Sequence, residues 1–196
     1  MSSIKSQDQI HQVLGELIGS GKERHCYAHP TNPLLCIKIT QKGVIGRRQN
    51  LLDWTYYLYL KNRGINSPSV PKCYGWVSTD QGPGLLVERI CRADSSPAPT
   101  LLQAINTGEI SREQALKLVE ASFLEMIQNN IVVVDYHPDH MLVSEDAKGQ
   151  RHIVVVDGLG SRHLGLRFWL RTRIPAYGRK KTRAVWNQVN SFLGST

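Results

Sequence analysis

Residues 131–160 read IVVVDYHPDHMLVSEDAKGQRHIVVVDGLG, and two β-branched runs within them, IVVVD at 131–135 and HIVVVD at 152–157, each end in an aspartate. Branched side chains favour a pleated, extended backbone, so both runs are expected to be strands. A strand fixes its terminal residue at the rim of the apolar layer, where a carboxylate can meet a metal or a proton. One such aspartate before a glycine is ordinarily a solvated strand end. Two of them, Asp135 and Asp157, acquire meaning from what lies upstream.

Residues 13–40 contain VLGELIG, RHCYAH and LLCIKIT, punctuated by Gly19-Ser20-Gly21 and Pro30-Thr31-Asn32-Pro33, which predicts three antiparallel strands. Residues 47–62 lack Gly and Pro, carry Leu51, Leu52, Trp54, Tyr56, Leu58 and Tyr59, and stop before Gly64, as a packed helix would. KCYGWVST and GLLVERI follow as strands around the turn cluster DQGPG. The polar, Pro-containing stretch 94–99 is the expected linker, dividing an N-lobe at 1–93 from a smaller C-lobe at 94–196 within one domain. Residues 111–130 open on a capping-box pattern and continue as a core helix, and 181–193 form a terminal helix with Trp186, Val189 and Phe192 on its apolar stripe.

Within this frame the polar residues make a set. Gly19, Ser20 and Gly21 form a turn whose backbone N–H groups can approach phosphate. Lys38 sits between Ile37 and Ile39, so strand alternation places its ammonium on the face opposite those two. With one carboxylate to hold Mg²⁺ and another to orient a nucleophile, these are the parts needed to hold a nucleoside triphosphate and move its terminal phosphoryl group. Alone, the Gly-x-Gly would be a plain hairpin turn and Lys38 a snorkelling surface lysine.

The run from Ile18 to Pro30, I-G-x-G-x-x-R-x-C-Y-x-H-P, followed by Cys36-Ile37-Lys38, Tyr56-Tyr57 and VPKCYGWVSTDQGPG at 70–84, resembles the YrbL family of PhoP regulatory network proteins. The resemblance covers residues 13–193 and implies an α+β, protein-kinase-like fold: an antiparallel-sheet N-lobe with one helix, and a reduced, mainly helical C-lobe. It implies that Lys38 is the strand-three lysine and Asp53 its acidic partner on the next helix. DYHPDHML at 135–142 is similar to the catalytic loop D-L-K-P-E-N-I-L, Asp157-Gly158-Leu159-Gly160 stands where D-F-G stands, and Glu88 falls where a hinge meets adenine. The implied ligands are ATP and Mg²⁺ or Mn²⁺. Asp135 would orient and deprotonate a hydroxyl acceptor, while Asp157 and His140 would hold the metal.

Some positions depart from the kinase pattern. Arg24 stands at the third glycine position, Asp53 is one methylene shorter than the usual glutamate, and His137 replaces a lysine. His140 replaces the second metal-binding asparagine; imidazole suits Mn²⁺ better than Mg²⁺. The Asp135-x-x-x-x-His140 spacing is similar to the loop of the Kdo/WaaP lipopolysaccharide-core kinases, which points to a glycan-type acceptor. The altered loop motivates an alternative, a non-catalytic, pseudokinase-type nucleotide-binding or signalling module.

Charge distribution adds a third alternative. The chain carries 24 Lys+Arg against 16 Asp+Glu, yet residues 158–196 contain no acid and eight bases: Arg162, Arg167, Arg171, Arg173, Arg179, Lys180, Lys181 and Arg183. The remainder is balanced, which excludes a uniformly basic nucleic-acid coat protein. The basic segment is ordinarily a solvated helical face, but Arg167-Phe168-Trp169-Leu170-Arg171 mixes arginine with aromatics as nucleic-acid and membrane-surface binders do. No nucleic-acid motif accompanies it. His137-Pro138-Asp139 also mimics the J-domain tripeptide, but the β-branched run before it is not the basic helix that motif requires. Four scattered cysteines without a C-x-x-C pair argue for reduced thiols, and the absence of a signal-like or membrane-spanning apolar run predicts a cytoplasmic protein.

Overall fold

The structure, a computed structural model, describes residues 13–21, 23–41, 49–135, 137–146 and 148–194. Strands β1 (Leu17–Ser20), β2 (Arg24–Ala28), β3 (Leu35–Thr40), β4 (Cys73–Thr79) and β5 (Gly82–Glu88) form one antiparallel sheet in the order β1-β2-β3-β5-β4. The hairpin joining β4 to β5 is tighter than its glycine-rich sequence predicts, with Thr79 opposite Gly82 and the Thr79 hydroxyl donating to the Gly82 carbonyl at 2.6 Å.

Strand register decides what faces what. Cys26 pairs with Lys38 and Lys38 with Leu85, so these side chains share one face, while Ile37 and Ile39 are buried on the other. Helix α1 (Gln49–Asn62) covers the Lys38 face, burying Asp53, Tyr56, Tyr57 and Leu60. Asn50 fastens its start by donating to the Lys38 carbonyl at 2.8 Å.

The second half contains α2 (Leu101–Asn106), α3 (Arg112–Gln128), a hairpin of β6 (Met141–Glu145) and β7 (Arg151–Val155), α4 (Leu166–Arg173) and α5 (Pro175–Gly194). Helices α2 and α3 both begin with complete capping boxes, Thr100 with Gln103 and Ser111 with Gln114. Each cap contributes ~1 kcal/mol by satisfying N–H groups that have no helical partner. One apolar core runs from Cys36 and Leu85 of the sheet, through Tyr56 and Phe123, to Val185 and Val189 of α5. At its centre the buried Tyr56 hydroxyl accepts the Val132 N–H at 2.7 Å.

Two local expectations change, and the expected linker takes a defined form. Residues 131–134 are buried but do not form a strand; they meet residues 158–160 through the isolated bridge Val133 to Leu159 and bonds from Val134 N to Gly158 O and Gly160 N to Val132 O. The run is buried in the core and keeps only this single-bridge pairing in place of an extended ladder. Residues 94–99, read as a linker, form a turn pinned by the Cys91 to Pro97 bridge and by Val143 N donating to Pro99 O. Helix α5 starts at Pro175 rather than 181, and its buried stripe is Gly178, Thr182, Val185, Val189 and Leu193, leaving Phe192 exposed.

Candidate functional site

The β1–β2 turn, β3, α1 and the segment following β7 meet around a single buried guanidinium. Arg24, the first residue of β2, has the inward parity of Cys26 and Lys38 and is 8% exposed. It donates to Asp53 Oδ2 of α1 at 2.6 Å, to Asn50 Oδ1 at 3.3 Å and to Asp157 Oδ2 at 3.0 Å. Lys38 Nζ lies 3.8 Å from Asp53 Oδ2 and donates to the Val156 carbonyl, immediately before Asp157, at 2.9 Å. Asp53 therefore has two cationic neighbours, and the arginine is the closer.

Burial of Arg24 disfavours its charge, but Asp53 and Asp157 outweigh that and raise its pKa above the ordinary guanidinium value. Burial likewise opposes ionisation of Asp157, yet Arg24, Lys38 and the Gly158 N–H hold its pKa down at about 2. Gly158 donates that bond to Asp157 Oδ1 at 2.7 Å. Gly158 has φ +77°, and a Cβ there would lie 3.0 Å from the Asp135 Cβ, so glycine is what permits the 131–135 and 157–160 segments to close together. The segments that carry the two sequence-predicted aspartates thus lie against each other.

Asp135 is partly exposed and paired with Arg162 at 2.6 Å. The 3₁₀ turn Pro138–His140 follows it, with the His137 and His140 rings 5.0 Å apart and His137 Nδ1 3.4 Å from Asp139 Oδ2. His140 is tied to the approach to Asp157 because its carbonyl accepts the Val156 N–H at 2.9 Å. Burial lowers the His140 pKa against the opposing pull of Asp157. Its Nδ1 is buried with no hydrogen-bond partner among the described residues.

Gly19, Ser20 and Gly21 form the exposed end of β1 and its turn. Neither glycine has a φ in the left-handed region, and a Cβ would meet nothing nearer than 3.7 Å at Gly19 or 3.6 Å at Gly21. Glu88 ends β5, where its carboxylate accepts the Lys72 N–H at 2.9 Å. Cys26 and Cys36 share the inward face above this cluster; their mutual hydrogen bond, aided by Lys38 and Arg24 and opposed by burial, brings the Cys26 thiol down to about 7 while Cys36 is pushed up. All four cysteines are free. A recess of ≈ 350 Å³ lined by His25, Tyr27, Ile39 and Gln81 opens on the other sheet face, away from the charged cluster.

Among the described residues no group of three or more His, Cys, Asp or Glu is arranged to hold a metal. No described helix is long and apolar enough to cross a membrane. The residue that sequence reading missed is Arg24: it registered as a departure from a glycine pattern, whereas its inward parity with Lys38 was the available signal.

The molecule is thus a mixed α+β protein whose five-stranded antiparallel sheet and five helices, among the described residues, enclose a buried arginine–carboxylate cluster. The chain belongs to the YrbL family, since the sequence profile of the PhoP regulatory network protein YrbL matches residues 13–192. It is 28% identical over 150 residues to the uncharacterized protein YrbL of Escherichia coli (strain K12), covering 75% of this chain and 71% of that protein. The uncharacterized protein YrbL of Shigella flexneri shows the same identity and coverage.

Proposed function

We propose that the chain is a protein-kinase-like phosphotransferase that binds ATP with Mg²⁺ or Mn²⁺ and passes the γ-phosphoryl group to a hydroxyl. The observation that carries this reading is the convergence of Lys38 and Asp53, from the sheet and α1, with Asp157 from the segment after β7. Gly19 and Gly21 add support: the fold does not require glycine at either place, which leaves close approach of a ligand to the backbone as a reason for them. Asp157 is ionised over the whole neutral range and His140 carries an unpartnered nitrogen, so the residues fit a cation delivered with its nucleotide. One or two protein ligands with phosphate oxygens completing the shell is the usual way Mg²⁺ is held.

In this reading the metal neutralises charge on the phosphates when bound. Lys38 holds phosphate, with Asp53 and the Val156 carbonyl fixing the direction of its ammonium. Asp135 orients the acceptor hydroxyl and takes its proton as the oxygen attacks phosphorus and ADP departs. Arg162 already meets Asp135, so an anionic acceptor, such as a phosphorylated or lipopolysaccharide-core sugar, would have a positive partner beside that carboxylate.

A second reading, a nucleotide-binding or signalling module without turnover, is favoured by Arg24 on Asp157. A resident guanidinium competes with any metal for that carboxylate. Thermal shift with Mg-ATP and Mn-ATP, using Lys38→Ala as control, tests nucleotide binding: saturation at 100 times Kd adds ~2.7 kcal/mol of stability, a rise of about 5–10 °C. No shift at millimolar nucleotide overturns both readings. Phosphate transfer lost in Asp135→Ala supports the kinase reading, while binding without any turnover supports the module.

A further inference from the structure

We infer that α4 and its junction with α5 form a docking face for an anionic lipid surface. Phe168 packs on the core and Thr172 is buried, so α4 turns one side inward at i and i+4. Leu166, Trp169 and Arg173, at i, i+3 and i+7, share the outward side. Leu166 is 73% and Trp169 51% exposed; Leu164, Ile174 and Tyr177, before and after the helix, each stand more than 40% exposed. Five large apolar side chains facing water within fourteen residues are not what scattered surface hydrophobics look like.

Charge identifies the occupant. Arg167 and Arg173 are exposed within the same stretch, as is Arg162, which pairs with Asp135, and no acidic residue occurs between 158 and 196. A protein partner binding through apolar contacts alone would not require that one-sided charge. A nucleic acid would use the arginines and could stack on Trp169 or Tyr177, but it offers nothing to Leu164, Leu166 and Ile174. An anionic bilayer uses both: phosphate headgroups meet arginine while aliphatic and indole groups enter the headgroup–acyl boundary. The pairing of Arg162 with Asp135 puts this face beside the second-half aspartates, although the docking inference does not depend on phosphoryl transfer.

The test is co-sedimentation of the full chain with phosphatidylcholine vesicles, with and without phosphatidylglycerol, read alongside tryptophan emission. Binding to the anionic vesicles alone is expected, with a blue shift that disappears in Trp169→Ala. That variant should partition about tenfold less, since its exposed indole is what leaves water. Arg167→Gln with Arg173→Gln should lose about thirtyfold, from roughly 1 kcal/mol per cation near the surface. All these side chains are exposed, and circular dichroism verifies that the variants fold. Equal binding to neutral vesicles, no binding to anionic ones, or partition unchanged by Trp169→Ala each overturns the inference. So does salt-sensitive binding to a DNA duplex by a chain that ignores vesicles.

Discussion

Replacing Arg24 with methionine keeps much of the side-chain volume and removes the guanidinium that joins Asp53 of α1 to Asp157 after β7. Asp53, 7% exposed, is then left in the interior with Lys38 at 3.8 Å as its nearest remaining cation. Breaking a buried pair by removing one partner costs about 3–5 kcal/mol, because the other charge keeps its desolvation penalty. Lys38 offsets part of this, so the expected loss is at the lower end, ~3 kcal/mol. For a chain of this size that is a fall in Tm of roughly 6–12 °C.

The two carboxylates should not contribute equally. The Asp157 side chain is 32% exposed and can recover water when Arg24 is gone, while Asp53 cannot. Asp53→Asn in the Arg24→Met background is therefore expected to restore most of the stability, with a coupling of about 2 kcal/mol, whereas Asp157→Asn restores under about 1 kcal/mol. Urea denaturation of the four proteins in each double-mutant cycle, followed by circular dichroism at pH 7, measures both couplings. A single-variant loss below about 1 kcal/mol, or a larger coupling to Asp157 than to Asp53, refutes the argument from burial.

Two further outcomes follow from the same network. The Asp157 pKa is depressed on folding from 3.8 to about 2, so its contribution is fully present above about pH 4 and is lost as pH falls toward 2. At ~1.4 kcal/mol per tenfold the gap corresponds to roughly 2 kcal/mol, and acid titration of stability should show that loss in the wild type and a smaller one in Arg24→Met. Tyr56→Phe removes the acceptor of the buried Val132 N–H and should cost about 1–3 kcal/mol in urea denaturation with little change in far-ultraviolet dichroism.

Much of the first half was legible because its signals are local. Alternation in LLCIKIT placed Lys38 opposite Ile37 and Ile39, and the helix carrying Asp53 lacked any breaker. Composition misled where tertiary packing substitutes for a local partner. IVVVD has a strand's residues, yet its carbonyls and amides are satisfied by Gly158, Gly160, Tyr56 and Thr182. The terminal helix expected at 181–193 extends back through Gly178 to Pro175. Gly178 lies inside α5 because a Cβ would come within 2.8 Å of the Arg171 carbonyl and 2.9 Å of Val132, so glycine there permits close contact of α5 with α4 and the core. The Arg24 network was hidden for another reason. Its partners lie 29 and 133 positions away, and no periodicity links residues so separated.

Arg24 and Arg162 give the two aspartates separate counter-ions, and the difference between them bears on how the site would respond to ligands. Arg24 is buried, with Asp53, Asn50 and Asp157 all accepting its bonds, so its departure leaves an uncompensated carboxylate. Arg162 is 66% exposed and touches a partly exposed carboxylate, a contact that water and salt weaken at little cost. An anion arriving at the Asp135 side can therefore take over Arg162 readily. Under the proposed function, a cation at Asp157 would compete with a guanidinium held by three acceptors, and the phosphates accompanying it would be the groups able to compensate an arginine drawn from its place. On the proposed phosphotransferase reading, this charge arrangement would favour entry of metal and nucleotide together over metal alone, and it would leave the Asp135 side open to the basic face that follows Asp157.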